Sequence, residues 1–379
     1  MREMKYIICG PLIPEEVENF FYSFSPAAGK FVRNMEMGLN ENGRETCGFA
    51  YITNPFNEGG YEHLKNYTAP VKYHIYTAKN SGKLSFVKFQ NDLLKCVDQD
   101  TVVIIYNMGY SYFSLVHRIK QKGGKACILI ADYSEVSEMK SVPRKIHAWL
   151  CQREFMKFDY AIVLTRNLKK KLSGHCKTLF IPGGIDLRHF QQMKKPIRGD
   201  KLIYMYAGLL STVTGVDVLL RAIKLCKLEN IEFWFSGKGD LQEQVCASAK
   251  TDSRIKYLGF MSENDYFPTL AKVNVFINPR NMSLQQNKNN FPSKVLEYLA
   301  TGRMVISTKF SEYRCFMENF ILYDGTEKEL ADAIEKTYDE YDSINEEYYD
   351  VNRRKALNYS WEGIAKQIID FFEIEGENK

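Results

Sequence analysis

The chain lacks any long hydrophobic run. None of its apolar stretches approaches the length of about 18 residues that a membrane-spanning helix needs, so we expect no transmembrane helix. The N-terminal segment MREMKYIICGPLIP also lacks the long apolar core and the small-residue cleavage site of a secretory signal peptide. These two absences predict a cytoplasmic protein.

Paired cysteines and metal-binding patterns are missing as well. The nine cysteines are scattered, without a Cys-x-x-Cys pair, which indicates buried, reduced thiols rather than a disulfide framework or a zinc site. Asp98-Gln-Asp100 has residue types that can hold a divalent metal, but it precedes a predicted strand and is interpreted as a turn. No other carboxylate or histidine cluster has metal-ligand spacing, so we expect neither a metal nor another cofactor.

Signs of disorder are absent too, because the chain is 45% hydrophobic and 26% charged, as in average soluble proteins. The net charge of +5 hides an asymmetry. Residues 1–199 carry 29 Lys and Arg against 18 Asp and Glu (net +11), and residues 200–379 carry 22 against 28 (net −6). A basic first half indicates contact with something anionic, although an uneven solvated surface is also consistent with the count.

Short apolar runs alternate with longer amphipathic stretches, which is the pattern of a parallel sheet built from βαβ units. The predicted strands of the first half are Tyr6–Cys9, Cys47–Thr53, Val102–Tyr106, Cys127–Asp132, Tyr160–Leu164 and Leu179–Pro182. The polar segment Lys194–Asp200 is interpreted as a linker, after which the pattern restarts. The predicted strands of the second half are Leu202–Ala207, Glu232–Phe235, Lys256–Leu258, Val273–Ile277, Met304–Ser307 and Phe320–Tyr323.

This pattern predicts an α/β protein with two Rossmann-like, doubly wound domains that face each other across a cleft. Residues 1–199 are expected to form the first domain and residues 200–359 the second. In such domains ligands bind beyond the carboxyl ends of the strands. Functional residues are therefore expected to follow a strand or to open a helix.

The segment Phe291–Gly302 (FPSKVLEYLATG) predicts a helix that follows a strand and a polar loop. Pro292 and Ser293 suit the first turn, and Gly302 suits the end. A helical wheel puts Val295, Leu296, Leu299 and Ala300 on one apolar face and Lys294, Glu297, Tyr298 and Thr301 on the other. Lys294 in the first turn favours a diphosphate, and a carboxylate one turn deeper can accept hydrogen bonds from a ribose diol. An exposed Lys–Glu pair is the simpler alternative.

Several motifs occur in order in the second half, namely Tyr206-Ala-Gly208, Gly215-Val-Asp217, Phe235-Ser-Gly237-Lys-Gly239, Ile255–Phe260, Asn278-Pro-Arg280 and FPSKVLEYLATGRMVIST. With these motifs the second half resembles the donor domain of retaining glycosyltransferases of family 4, which have the GT-B fold. The first half resembles the family less closely, chiefly in Tyr160–Thr165 and Phe180–Asp186. The terminal Ser360–Phe372 is similar to the family's last helix, which implies that residues 360–375 pack on the first domain.

The resemblance implies a set of donor-binding residues. Glu297 looks like the carboxylate that holds the donor ribose, and Asn289 stands where the family usually has a second Glu that touches the sugar. Leu209 and Thr214 stand where members usually carry Arg and Lys on the diphosphate. The cations expected to replace them are Lys238, Arg280 and Lys294. The other predicted donor contacts are Gly29, Gly208, Gly237, Gly239, Phe260, Met261, Phe291, Pro292 and Ser293, although plain structural turns also explain the glycines.

Acceptor contacts are expected in the first domain, where Asn107–Tyr110 and Asp132–Glu135 each follow an apolar strand. Asp132 and Glu135 are the candidate catalytic pair there, together with Asn289 in the second domain; helix capping is the alternative role for the pair. The stretch Ser137–Lys171 combines Ile146, Trp149, Leu150, Phe155 and Phe158 with basic residues, and it predicts either contact with an anionic membrane or a helix packed on the sheet.

By resemblance we expect retaining transfer of a hexose-type sugar from a UDP- or GDP-sugar to an acceptor hydroxyl. The acceptor is expected to be a saccharide or a lipid-diphosphate-linked saccharide in surface polysaccharide synthesis, and nucleic acid is not an expected partner. A peripheral location at the inner face of the membrane follows from the same reasoning. Two alternatives remain: a sugar-nucleotide epimerase on the same fold, and a partner or scaffold protein that has lost its site.

Overall fold

The computed structural model describes residues 3–14, 26–52, 73–107, 112–133 and 135–374. The chain divides into two units, of which the first is Met1–Gly184 with Trp361–Lys379 and the second is Ile185–Ser360. The candidate acceptor contacts at residues 108–110 and at residue 134 lie outside the described residues.

The first unit contains a seven-stranded sheet in which every pairing is parallel. Its strands are β1 (Lys5–Cys9), β2 (Thr46–Ile52), β3 (Tyr73–Thr77), β4 (Thr101–Tyr106), β5 (Lys125–Ile130), β6 (Tyr160–Val163) and β7 (Lys177–Phe180). Their order is β3-β2-β1-β4-β5-β6-β7. All but the edge strand β3 coincide with predicted strands; YHIYT carries His and Tyr in alternation with one Ile, so it lacks the continuous apolar run of its neighbours.

The second unit contains a six-stranded parallel sheet. Its strands are β8 (Leu202–Ala207), β9 (Ile231–Ser236), β10 (Ile255–Gly259), β11 (Val275–Asn278), β12 (Met304–Thr308) and β13 (Ile321–Tyr323). The order β10-β9-β8-β11-β12-β13 is that of a doubly wound Rossmann sheet, in which the direction of winding reverses between the first and fourth strands. The reversal therefore lies between β8 and β11.

Helices connect the strands in both units. In the described residues they are α1 (Pro26–Glu41), α2 (Ala78–Lys95), α3 (Phe113–Gln121), α4 (Val142–Phe155), α5 (Arg166–Leu172), α6 (Val216–Leu225), α7 (Gln242–Thr251), α8 (Glu263–Leu270), α9 (Gln285–Asn289), α10 (Lys294–Ala300), α11 (Glu327–Leu357) and α12 (Trp361–Ile374). Across this part of the chain, none of the helices is both long and apolar enough to cross a membrane.

Each unit has a hydrophobic core of its own between its sheet and its helices. In the second unit, α6 shows how the sequence pattern produces this packing, since Val216, Leu219, Leu220 and Ile223 recur at helical spacing and are all buried. In the first unit, α12 packs along α1, and Phe372 contacts Tyr6 in β1. The return of the last helix to the first unit agrees with the expected fold.

The segment between residues 185 and 200 packs in the second unit against α11. Side chains of α11 donate hydrogen bonds to its carbonyl oxygens: Tyr349 to Met193 at 3.0 Å, and Asn345 to Pro196 at 2.8 Å. Arg353 donates to the Phe190 carbonyl at 3.0 Å. The polar stretch that the sequence predicts as a linker is therefore held along α11 by these bonds.

Candidate functional site

The carboxyl ends of β8 and β11 lie side by side in the second unit, where the winding of the sheet reverses. Ligands of doubly wound proteins bind outside this point. Three predicted segments follow strands at this edge: Gly208 after β8, Gly237–Gly239 after β9, and Arg280 after β11. The residues predicted from separate motifs thus belong to one edge of one sheet.

The glycines at this edge are required by backbones that approach each other closely. A Cβ on Gly237, whose φ is +137°, would lie 1.8 Å from the carbonyl oxygen of Gly208, and one on Gly239 would lie 2.1 Å from that of Leu210. The N–H of Leu210 donates to the Lys238 carbonyl at 2.9 Å. The loops after β8 and β9 therefore interlock, which agrees with the structural-turn interpretation of these glycines.

Thr214 stabilises the loop after β8. Its hydroxyl donates to the carbonyl of Leu209 at 2.6 Å and lies 3.3 Å from the hydroxyl of Ser211. The next residue, Gly215, begins α6 with a φ of +77°, and a Cβ there would lie 1.7 Å from the Pro279 carbonyl oxygen after β11. Thr214 therefore holds the loop's shape at a position where the resemblance leads one to expect a cation.

Three side chains meet on α10 and α8. The ammonium of Lys294 lies 2.8 Å from Oε2 of Glu297, and the hydroxyl of Tyr266 donates to the same oxygen at 3.0 Å. The Lys294 ammonium also donates to the Tyr266 hydroxyl at 3.1 Å and lies 4.4 Å from the centre of that ring. Tyr266 is absent from the predicted site because it lies on α8, and no spacing pattern links it to the α10 motif.

The charges of this cluster follow from its surroundings. Burial raises the pKa of the Tyr266 hydroxyl well above its usual value, and the Glu297 carboxylate beside it adds to the rise, so the hydroxyl keeps its proton. Burial acts to lower the pKa of Lys294, but the charge attraction and hydrogen bond of Glu297, together with the interactions of Tyr298 and Glu263, outweigh it, and the pKa is raised. At neutral pH the cluster therefore holds a charged Lys–Glu pair with a neutral phenol as donor.

Tyr298 and Thr301 are buried, which corrects their predicted place on the solvent face of the helix. The Tyr298 ring stacks on Phe276 of β11 at a centroid distance of 4.2 Å, and its hydroxyl bonds both the N–H and the carbonyl of Ala207 at the end of β8. The reason is that α10 packs against β12 on one side and α11 on another, so more of its surface is covered than a single amphipathic stripe predicts.

Two of the three predicted cations act on one buried phenol. Burial raises the pKa of Tyr206 to about 12, whereas the Thr214 hydrogen bond and the positive charges of Arg280 and Lys294 act to lower it. Tyr206 lies at the end of β8 and Arg280 follows β11, the two strands between which the winding of the sheet reverses. The third cation, Lys238, lies 4.9 Å from the centre of the Phe260 ring, which is 69% exposed just after β10.

The residues of the segment around α10 differ in accessibility. Asn289 is completely buried at the end of α9, so its side chain contacts protein in this structure. Phe291 and Pro292 are buried as well, the former among aromatic rings that include Tyr313. Ser293 is exposed and begins the helix without a side-chain cap bond, and Met261 is partly buried. The surface of this segment is therefore formed by Ser293 and the Lys294–Glu297 pair.

In the first unit, Asn107 joins the carboxyl ends of β4 and β5. Its φ is +44°, which is unusual for a residue other than glycine. Its side-chain oxygen accepts from the N–H groups of Ala131 (2.8 Å) and Asp132 (3.2 Å), and its amide nitrogen donates to the Asp132 carboxylate at 3.2 Å. Asp132 is exposed, so an anionic acceptor of hydrogen bonds is available at this edge.

Glu135 is engaged by a lysine on α5. Both of its carboxylate oxygens accept from the Lys171 ammonium, at 2.7 and 2.8 Å. Burial acts to lower the pKa of Lys171, but the hydrogen bonds and charge interactions with Glu135 and Tyr133 together outweigh it, and the pKa is raised. The backbone N–H of Glu135 also donates to Glu138 in a capping box, which is the capping role that the sequence left open for this segment.

The remaining predicted positions are occupied by ordinary structure. Gly29 is buried in the first turn of α1. The turn at Asp98–Asp100 is confirmed, since the Asp98 carboxylate accepts from the Asp100 N–H at 3.0 Å and from Lys5 at 3.0 Å. Within the described ranges, no group of three or more His, Cys, Asp or Glu side chains is arranged to hold a metal ion.

The basic amphipathic face seen in the structure differs from the predicted one. Phe155 and Phe158 are buried in the core, because they lie on the side of α4 and its following turn that faces the sheet. Ile146 (54% exposed) and Trp149 (51% exposed) remain outside, and Val142 extends the same stripe by one turn. The exposed apolar face is therefore shorter than predicted and lies at the N-terminal half of α4.

Comparison with known families identifies a domain in the second unit. Residues 201–340 match a family model described as "Glycosyl transferases group 1". The matched range contains the strands β8 to β13 and the cluster of Tyr266, Lys294 and Glu297. A search of curated proteins found no match to the chain.

Solved structures are similar over almost the whole chain. A structure of Anabaena HepE in complex with UDP has a TM-score of 0.70 and 14% identity, covering 98% of this chain and 100% of that one. A glycosyltransferase from Rickettsia africae ESF-5 has a TM-score of 0.69 and 12% identity, covering 100% of both chains. The apo form of the lipopolysaccharide outer core galactosyltransferase WaaB has a TM-score of 0.66 and 13% identity, covering 98% and 100%. These similarities confirm the expected GT-B fold.

Proposed function

We propose that the protein transfers a sugar from a nucleotide sugar to an acceptor hydroxyl. The observation that carries the proposal is the cluster of Tyr266, Lys294 and Glu297 at the ligand edge of a group 1 glycosyltransferase domain. The similar HepE structure is described as a complex with UDP, and this supports a uridine or related nucleotide as the donor group.

The proposed donor site separates the two polar parts of the nucleotide. Glu297 accepts hydrogen bonds from the ribose diol while the Tyr266 hydroxyl and the Lys294 ammonium hold its carboxylate in place. Lys294, Arg280 and Lys238 compensate the charge of the diphosphate, which grows as the diphosphate leaves. Phe260, which is exposed after β10, is proposed to contact the base.

We propose retaining transfer of a hexose-type sugar. In this reaction the bond between the sugar C1 and the diphosphate oxygen breaks, the acceptor oxygen bonds C1 on the same face, and the departing phosphate takes the acceptor proton. Such a step needs no strong protein base, and it is proposed to need no metal. Asp132 orients the acceptor hydroxyl as a hydrogen-bond acceptor, while Glu135 stays paired with Lys171. The proposed acceptor is a saccharide or a lipid-linked saccharide of a surface polysaccharide.

Titration calorimetry with UDP and GDP tests the donor site. We expect one of them to bind, and Glu297→Gln to weaken that binding about tenfold, because an amide holds the diol without charge assistance, a difference of about 1.4 kcal/mol. Glu243→Gln removes an exposed carboxylate from α7, outside the donor cluster, and should leave affinity unchanged. Binding of neither nucleotide, or equal affinity in both variants, contradicts the assignment.

A second candidate is a nucleotide-binding partner protein without transfer activity. It is favoured by Thr214, whose hydroxyl is bonded within the loop after β8, and by Asn289, which is buried where the resemblance leads one to expect a carboxylate. An assay of nucleoside diphosphate release from UDP- and GDP-sugars with saccharide acceptors, in the presence and absence of EDTA, separates the candidates. Nucleotide binding with no release under any condition identifies the partner protein.

We also propose that the first unit rests on an anionic membrane through α4. The exposed stripe of Val142, Ile146 and Trp149 is flanked by the exposed basic residues Arg144 and Lys145. Burial of apolar side chains and attraction to anionic headgroups act together at such a face, each Lys or Arg adding about 1 kcal/mol.

Sedimentation with vesicles that contain phosphatidylglycerol tests this contact. We expect binding that weakens with salt and that falls at least fivefold in the double variant Ile146→Ser/Trp149→Ser. Leu225→Ser removes an exposed apolar side chain from the second unit and serves as the control. Equal loss in the control, or binding unaffected by Arg144→Glu/Lys145→Glu, rules the contact out.

A further inference from the structure

A cavity of about 710 Å³ lies in the second unit between the segment at residues 189–197 and α8. Cavities of roughly 300–1,000 Å³ are typical of small-molecule sites. The cavity is separate from the donor cluster, because Tyr266 and Phe267 are neighbours on α8 and only Phe267 lines the cavity.

The charge of the cavity is of one sign. Its charged lining residues are Lys194, Lys195 and Lys272, and none of the described residues that line it is acidic. Nε2 of His189, which also lines it, lies 3.6 Å from the Asp186 carboxylate. Lys195 pairs with the exposed Glu346 at 3.2 Å, whereas Lys194 and Lys272 form no ion pair with the described residues. Two lysines at the rim of a concave surface concentrate positive potential there.

Apart from Gln192, the rest of the lining is apolar. The His189 ring stacks on Phe267 at a centroid distance of 4.0 Å and an interplanar angle of 3°, which makes a flat wall. Ile197 is 82% exposed, the highest exposure of any large apolar side chain in the described part of the chain, and it lies beside Pro196 in the lining. An apolar side chain left this open gains from any ligand that covers it.

The cavity is also held in shape before any ligand binds. The carbonyl of Met193 accepts from Tyr349, that of Pro196 from Asn345, and that of Ile197 from Asn274 at 3.1 Å. These bonds fix the backbone that carries Lys194, Lys195 and Ile197. A ligand therefore does not have to order this wall on binding, which lowers the entropic cost of association.

We propose that this cavity binds a small phosphate ester with an apolar moiety, the phosphate on Lys194 and Lys272 and the apolar part against Ile197 and the His189–Phe267 wall. The ligand is a free small molecule, distinct from the nucleotide sugar. The site goes beyond the proposed function and does not depend on it, since no residue of the donor cluster lines the cavity.

Titration calorimetry of the full chain with phenyl phosphate tests the site. The titration is made at a saturating concentration of UDP, so that phenyl phosphate cannot bind at the donor cluster. If UDP fails to bind, the titration is made without it. The result for the cavity is then independent of the result for the donor site. We expect one saturable event, an affinity at least tenfold lower in Lys194→Glu/Lys272→Glu, and no change in the matched pair Lys224→Glu/Lys250→Glu, whose lysines are exposed elsewhere on the unit.

A second measurement tests the contact between Ile197 and the apolar part of the ligand. Ile197→Ser should weaken phenyl phosphate severalfold and leave inorganic phosphate unchanged, because inorganic phosphate has no apolar part to cover the side chain. The substitution is at an exposed position, so the fold is preserved. The proposal is overturned if phenyl phosphate fails to bind, or if both double lysine variants lose affinity for it equally. It is also overturned if binding that depends on Lys194 and Lys272 is seen only with phosphatidylglycerol vesicles.

Discussion

A single carboxylate organises the candidate donor site. Lys294 and Glu297 lie three residues apart on one helix, so their pairing follows from local spacing. Tyr266 precedes Lys294 by 28 residues and reaches the same carboxylate from another helix. The pair is therefore predictable from sequence, whereas the phenol that completes it is brought in by the packing of α8 beside α10.

Tyr298 illustrates a residue whose role is set by its partners. Its hydroxyl bonds the N–H and the carbonyl of Ala207, both buried at the end of β8. We expect Tyr298→Phe to lower the free energy of unfolding by about 1–3 kcal/mol, because two backbone groups lose their partner without gaining water.

Urea denaturation measures this effect. Tyr257→Phe, which removes a less buried hydroxyl bound to the Gly237 carbonyl at 2.9 Å, is the comparison and should cost less. Equal stability of Tyr298→Phe and the wild type contradicts the assigned role.

Between elements, the site depends on loops that touch through their backbones. The loop after β8 contacts the loop after β9 at Gly237 and the loop after β11 at Gly215. Glycine at these positions thus has a structural cause, and the phosphate-binding role that the sequence also allowed for Gly237 and Gly239 is an additional proposal. Of the cations at this edge, Lys238 follows β9 and Arg280 follows β11, whereas Lys294 lies in the first turn of α10.

Replacing one glycine tests the interlocked loops. In Gly237→Ala the new methyl group would lie 1.8 Å from the Gly208 carbonyl oxygen, so the loop after β8 must move. We expect UDP affinity to fall at least tenfold and the free energy of unfolding to fall by more than about 1 kcal/mol.

Gly43→Ala is the matched control, since its φ is +75° but no atom lies within 4 Å of the new methyl group. It should show backbone strain alone, about 1 kcal/mol, and unchanged UDP affinity. Thermal melting and calorimetry measure both variants. If Gly237→Ala binds UDP with the same affinity as Gly43→Ala, the contact between the loops after β8 and β9 is not needed to shape the UDP site.

At the scale of the whole molecule, one unit is formed by a single segment of the chain and the other by two segments. The second unit is the continuous segment Ile185–Ser360, and it contains every residue of the proposed donor site and of the phosphate-ester cavity. The first unit needs the last helix, since Phe372 is buried against Tyr6 and Tyr160 and Trp361 packs against Gly184. Removal of α12 should therefore affect one unit only.

Truncation after Ser360 tests this division. We expect loss of the cooperative unfolding of the first unit, because buried aromatic surface is uncovered, while UDP affinity is kept. Circular dichroism during heating and calorimetry with UDP measure the two outcomes. Phe372→Ala should give a smaller effect in the same direction, about 3–5 kcal/mol. Unchanged melting of the truncated chain contradicts the division.

Local patterns were sufficient for much of the fold. Twelve of the thirteen strands in the described part of the chain, the helix Lys294–Ala300 within the predicted Phe291–Gly302, and the doubly wound order follow from apolar runs, glycines and the spacing of βαβ units. Other features depended on residues far apart in the chain, among them the burial of Tyr298, the use of Glu135 by Lys171 and the contact of Tyr266 with Glu297.

The physical reason is the range of the interactions. Hydrophobic periodicity and turn chemistry act over a few residues, so they can be read along the chain. Burial and partner choice depend on which elements pack together. For this reason the sequence alone could indicate Lys294 and Glu297 as a pair, while only the packed helices decided that Tyr266 joins them and that Asn289 is buried.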